Sequence, residues 1–260
     1  MKKLIIGNWK MNPTSLAEAK RIYLGVKTKV GTLRNVSVAV CPPAIYLGIL
    51  ASGNHSKSKN GLQLGAQDVF WKEEGASTGN ISPLMLKDLR VGYTLVGHSE
   101  RRALGETDEM VNWKVKTAMS YGLTTVVCVG EGERDESGHY LAQLKRQLED
   151  GLADLPKKAF SKLVIAYEPV WAIGKDAKGV ETPEGFNHNM IFIRKTLSYI
   201  LGPKEAIKVP ILYGGSVSAK NADSFLREGG ADGLLVGRDS LTAKNFLEIV
   251  RLANQVRINK

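Results

Sequence analysis

The chain has 260 residues, 43% hydrophobic and 24% charged, a balance that can bury a full core and excludes wholesale disorder. No stretch approaches the ~20 apolar residues of a membrane span, and the opening Met1-Lys2-Lys3-Leu4-Ile5-Ile6-Gly7 falls far short of the roughly 7–15 apolar residues of a secretory signal. The 36 Lys and Arg outnumber the 26 Asp and Glu, giving a net charge of +10, which favours anionic ligands from phosphorylated metabolites to nucleic acid.

Apolar, β-branched runs predict strands over residues 4–9, 36–41, 62–67, 93–97, 124–129, 163–167, 209–213 and 233–236. Segments with helical spacing lie between most of them. One opens at Ser15-Leu16 with Ala19, Tyr23 and Val26 on its apolar face. Another opens at Thr107-Asp108-Glu109, a capping hydroxyl followed by first-turn acids, and is closed by Gly122. Residues 140–152 and 184–201 behave likewise, the second stopped by Gly202-Pro203. The two cysteines, Cys41 and Cys128, sit inside apolar runs, which points to a reducing, cytoplasmic setting rather than a disulfide framework. The densest basic stretches, residues 55–59 and 251–260, lack the interleaved aromatics of a single-strand groove. Solvated surface is therefore expected there, not a nucleic-acid partner.

Strands alternating with helices mean a parallel sheet, and strands apolar on successive residues suit burial on both faces. Eight such units without a composition break predict an α/β fold closed as a (β/α)8 barrel, a single domain over residues 1–260. A doubly wound open sheet is the alternative, but no Rossmann glycine fingerprint follows the first strand.

Active sites of such barrels lie at the carboxyl ends of the strands. Those ends read Gly7-Asn8-Trp9-Lys10, Gly97-His98-Ser99-Glu100-Arg101-Arg102, Glu168-Pro169, Gly214-Gly215-Ser216 and Gly237-Arg238. Pro169 forces Glu168 into extended backbone. His98, at the start of a helix, is disfavoured as imidazolium and can donate a hydrogen bond to a carbonyl oxygen, although a lone histidine is more often structural. Lys10 is a surface lysine or a fixed charge for an oxyanion, and Asn8 can add a donor. The glycine turns after the last two strands match the phosphate site recurrent in this architecture, or are ordinary turns. Glu100 and Glu168 raise the thought of a metal or a glycosidase pair, yet no ligand cluster accompanies them, so no metal is expected. A neutral electrophile, a cation, a lone base and a phosphate grip suit proton abstraction beside a carbonyl with no cofactor.

Asn8-Trp9-Lys10-Met11-Asn12, residues 97–102, residues 166–174 and Tyr213-Gly214-Gly215-Ser216-Val217 resemble the motifs of the triosephosphate isomerase family, in the right order and on the right strands. The resemblance runs over residues 6–241. It implies a TIM barrel that interconverts dihydroxyacetone phosphate and glyceraldehyde 3-phosphate, a phosphorylated triose, in glycolysis and gluconeogenesis. By that resemblance Glu168 is the base, His98 polarises the carbonyl, and Lys10 stabilises negative charge with Asn8 beside it. Gly174, Ser216, Gly237 and Arg238 hold the phosphate, chiefly through main-chain N–H groups, under a lid of residues 170–176.

Three departures from the family stand out. The lid continues Gly174-Lys175-Asp176 where Gly-Thr-Gly-Lys is usual. Gly237-Arg238 replaces a Gly-Gly pair, its guanidinium facing either phosphate or solvent. The loop over residues 68–82 resembles the family's dimerisation arm, which implies a homodimer through Thr78, but Ser77 stands where an aromatic is usual. Two rival functions remain open: another phosphate-gripping isomerase or an aldolase with Lys10 as Schiff-base nucleophile, and a non-catalytic basic binding protein.

Overall fold

The computed structural model describes residues 2–52, 61–135, 137–174 and 177–256. Within them eight parallel strands close into a barrel in sequence order: β1 Lys3–Asn8, β2 Val36–Cys41, β3 Gln63–Ala66, β4 Tyr93–Val96, β5 Thr124–Val129, β6 Leu163–Tyr167, β7 Ile211–Tyr213 and β8 Gly233–Val236. Closure is made by β1 against β8, with Leu4 opposite Gly233 and Gly7 opposite Val236. The fold is the expected (β/α)8 barrel, not the open sheet. Strand limits shift by a residue or two from the sequence reading, most at β7, where Val209 and Pro210 precede the ladder.

The outer layer comprises α1 Leu16–Val30, α2 Ala44–Ser52, α3 Pro83–Asp88, α4 Ser99–Ala103, α5 Asp108–Ser120, α6 Tyr140–Gly151, α7 Pro183–Leu201, α8 Pro203–Ala206, α9 Ala222–Arg227 and α10 Ala243–Gln255. The caps act as the sequence suggested. Ser15 accepts from the Glu18 N–H and Thr107 from the Met110 N–H, each satisfying an amide that helix geometry leaves without a partner. Gly202-Pro203 ends α7 as expected but also begins α8, because proline at a first helical position loses no hydrogen bond. Of the features noted in the sequence, residues 55–59, the tail beyond residue 256 and Lys175-Asp176 lie outside the described residues.

Two apolar layers result from the period of two along each strand. Leu4, Ile6, Val126, Cys128, Val164, Ala166, Leu212 and Leu235 fill the barrel interior. Ile5, Val127, Val129, Ile165, Tyr167, Tyr213 and Val236 point outward to the helices. This alternation positions the site. Continuing the inward series one step beyond the filled layers reaches Asn8, Glu168, Gly214 and Gly237, all at one mouth.

Candidate active site

A cavity of about 530 Å³ opens at that mouth, and its lining includes Asn8, Lys10, His98, Glu168, Gly174, Ser216, Gly237 and Arg238. Each residue singled out for chemistry or binding from the sequence therefore meets the others in one place. Among the described residues no group of three or more His, Cys, Asp or Glu is disposed to hold a metal ion, and no helix is long and apolar enough to cross a membrane.

Glu168 is buried, 2% exposed. Its own N–H donates to the Val129 carbonyl at 2.8 Å, and Gly130 lets β5 come that close. A Cβ on Gly130 would lie 1.8 Å from the Glu168 carbonyl oxygen, so no other residue fits there without displacing the backbone. The carboxylate spans two partners. Oε2 accepts from the Ser99 N–H at 2.8 Å, and Oε1 lies 3.0 Å from His98 Nε2. Burial alone would raise this carboxyl; His98, by charge and hydrogen bond, and the Ser99 N–H outweigh it and hold Glu168 below its ordinary value.

His98 follows Gly97, whose φ of +72° turns the chain out of β4. The Gly97 N–H donates to Glu106 Oε1 at 3.1 Å and its carbonyl accepts from Arg102 Nε at 2.8 Å, so the turn is held from both sides. His98 itself caps α4, its Nδ1 accepting from the Glu100 N–H at 3.2 Å. That bond assigns the proton of a neutral ring to Nε2, which faces Glu168 and the cavity. Burial would lower the imidazole pKa, but the charge and hydrogen bond of Glu168 prevail and raise it.

Lys10 adopts φ +52°, uncommon for a residue with a side chain. Three bonds fix it there. Its N–H donates to Asn8 Oδ1 at 3.0 Å, its carbonyl accepts from Gln67 Nε2 at 2.8 Å, and its Nζ meets Glu100 Oε1 at 2.7 Å. Asn8 thus uses its side-chain oxygen to shape the turn and keeps its amide N–H groups for the cavity. Sequence reasoning weighed Glu100 only as a possible metal or glycosidase partner; its place is on Lys10. The Ser99 amide, Gln67 and Gly130 were missed, because a backbone N–H, a distant glutamine and a close backbone approach have no linear signature.

Beyond Glu168 the chain makes a short helical turn, Val170–Ala172, and reaches Gly174 at φ +86°, a conformation that suits glycine. The Trp171 indole N–H donates to Glu131 Oε1 at 2.9 Å, and the Ser216 hydroxyl donates to the Ala172 carbonyl at 3.0 Å. Ser216 thus ties the turn after β7 to the segment after Glu168 through its side chain, and its backbone hydrogen-bonds to the Tyr213 hydroxyl. Arg134 lies 4.7 Å from the Trp171 ring and pairs with Glu181 at 2.7 Å, so Trp171 and Glu181 are both held to the β5–α6 connection.

Fold and cavity together define the class: a parallel (β/α)8 barrel enzyme whose charged groups gather where the strands end, beside glycine turns suited to a phosphate. A family model described as "Triosephosphate isomerase" matches residues 3–253. The triosephosphate isomerase of Dehalococcoides mccartyi is 43% identical over 260 residues, covering 99% of this chain and 100% of the relative. That of Dictyoglomus thermophilum is 41% identical over 254 residues, 96% and 99% of the two chains, and that of Trichlorobacter lovleyi 40% over 250 residues, 95% and 97%. The chain belongs to the triosephosphate isomerase family.

Proposed function

We propose that this protein is a triose-phosphate isomerase, interconverting dihydroxyacetone phosphate and D-glyceraldehyde 3-phosphate through an enediol(ate), the step that serves glycolysis and gluconeogenesis. The observation that carries the reading is the meeting of Glu168, His98 Nε2 and Lys10 in one cavity with the turns at Gly174, Ser216 and Gly237. Glu168 takes a proton from C1 and returns it at C2. His98 donates from Nε2 to the carbonyl oxygen and moves protons between the two oxygens. Once Glu168 turns from His98 to the substrate, the charge that favours imidazolium leaves, and the Glu100 N–H on Nδ1 favours the neutral ring. Lys10 meets the negative charge that develops on oxygen.

The phosphate is gripped by the N–H groups of Gly174, Ser216, Gly237 and Arg238. Its binding energy draws the lid over the site, which excludes water and protects the intermediate. The chemistry needs no metal or nucleotide, so exhaustive dialysis against a chelator is expected to leave turnover unchanged. The decisive experiment is a coupled assay with glyceraldehyde 3-phosphate. Glu168→Gln is expected to lose about 10²- to 10⁴-fold in kcat, the scale of a general base. An inactive wild type would sink the reading, and borohydride trapping of a Lys10 adduct would favour an aldolase instead.

The working form proposed is a cytoplasmic homodimer. Met11, Ile45, Met85 and Leu104 are 90%, 79%, 60% and 82% exposed. They follow β1, β2, β3 and β4 in turn, on the side of the barrel order that also carries the loop of Thr78, and the homodimer reading assigns them to the contact surface. The buried free thiols of Cys41 and Cys128 support a reducing compartment. Neither nucleic acid nor membrane is among the partners proposed.

A further inference from the structure

We infer that the Arg238 guanidinium is a side-chain ligand for the non-reacting phosphate and so sets substrate affinity, a role beyond its main-chain N–H. The inference rests on the isomerase reading of the same cavity. At the end of β8 the chain turns at Gly237 (φ −85°, ψ −106°) into the short helix Arg238–Leu241. Gly237 backs onto Lys10: a Cβ there would stand 3.7 Å from Lys10 Cε. Arg238 is the next residue along the chain, and it lines the cavity together with Lys10.

The charges at this mouth are unequally committed. Lys10 is paired with Glu100 at 2.7 Å, and His98 with Glu168 at 3.0 Å. Arg238 is exposed and has no ion pair with any described residue. Asp239 lines the same cavity and would repel a dianion. Arg238 is the cation on this turn that can offset it. A guanidinium presents a planar fork matched to phosphate oxygens, and its solvated position makes the contact modest and sensitive to salt.

Arg238→Gly, Arg238→Lys and Asp239→Asn test this through kcat, KM and competitive inhibition by inorganic phosphate at low and high ionic strength. Arg238→Gly is expected to raise KM and the phosphate inhibition constant about five- to tenfold, the effect of one solvated charge-assisted bond. Its KM should also respond less to salt. Arg238→Lys should recover part of the affinity, and Asp239→Asn should tighten phosphate binding. Wild-type KM, inhibition constant and salt dependence in Arg238→Gly would overturn the inference while leaving the isomerase reading intact; an inactive wild type would instead remove the reading on which it rests. Should Arg238→Gly fail to fold, phosphate binding unchanged or weakened in Asp239→Asn would count against it equally.

Discussion

Glu168 holds two hydrogen bonds that it must release in order to work, and their pH dependence makes them measurable. Its carboxyl is held below the ordinary 4.5, so its contribution to stability is full above that value and lost as pH falls through the folded pKa. His98 is raised above 6.5, so its contribution is full below 6.5 and lost as pH rises through its folded pKa. The pair thus stabilises most between 4.5 and 6.5. A double-mutant cycle on Glu168→Gln and His98→Asn, read by urea unfolding, should give a larger coupling energy at about pH 5.5 than at about pH 8.5. Equal coupling at both would mean that the contact carries no charge. Because His98 is the chief counterweight to burial, His98→Gln should also move the acid limb of kcat/KM to higher pH.

Two elements are tied to the site by buried carboxylates. After β5, Glu131 is fully buried and accepts from the Tyr167 hydroxyl at 2.7 Å and the Trp171 indole at 2.9 Å, while its Oε2 has no partner. Burial raises its pKa although both bonds oppose that. Trp171→Phe withdraws one donor from an already underserved carboxylate, a loss of about 1–3 kcal/mol. Hydrogen exchange should quicken over residues 170–174 and stay slow in the strands; uniform exchange would refute a local role for the Trp171–Glu131 bond. On the other side, Lys114 is buried and reaches Asp68 at 2.7 Å and Glu106 at 3.2 Å. Arg101 pairs with the same two carboxylates at 3.0 and 3.1 Å. This cluster joins the long loop after β3 to the turn that carries His98. Lys114→Met leaves both carboxylates to the half-exposed Arg101 alone and should cost about 1–3 kcal/mol in urea unfolding.

At the scale of the whole molecule the proposed homodimer is tested at its exposed apolar side chains. Met11→Asp combined with Ile45→Asp puts charge where a second copy would be desolvated. The wild type should sediment as a dimer at micromolar concentration and the double variant as a monomer, with an unfolding midpoint that no longer rises with protein concentration. A wild-type monomer would refute the homodimer.

Strand and helix periods, capping residues and strand-end motifs are local properties, and they sufficed to predict the barrel and to put Asn8, Lys10, His98, Glu168, Ser216 and Arg238 at strand ends. The alternation that sends Ala166 inward and Tyr167 outward already aims Glu168 at the mouth. The partners of those residues were not legible. That Glu100 belongs to Lys10, that the Ser99 amide holds Glu168, and that Gly130 is required by a carbonyl from the next strand all depend on chain segments 38 to 90 residues apart meeting at a single rim. Closure of the barrel creates those contacts, and it also decides which charges at the mouth neutralise one another. Sequence determined which groups the protein has to work with; only the tertiary structure determined which of them are already occupied and which are left for a ligand.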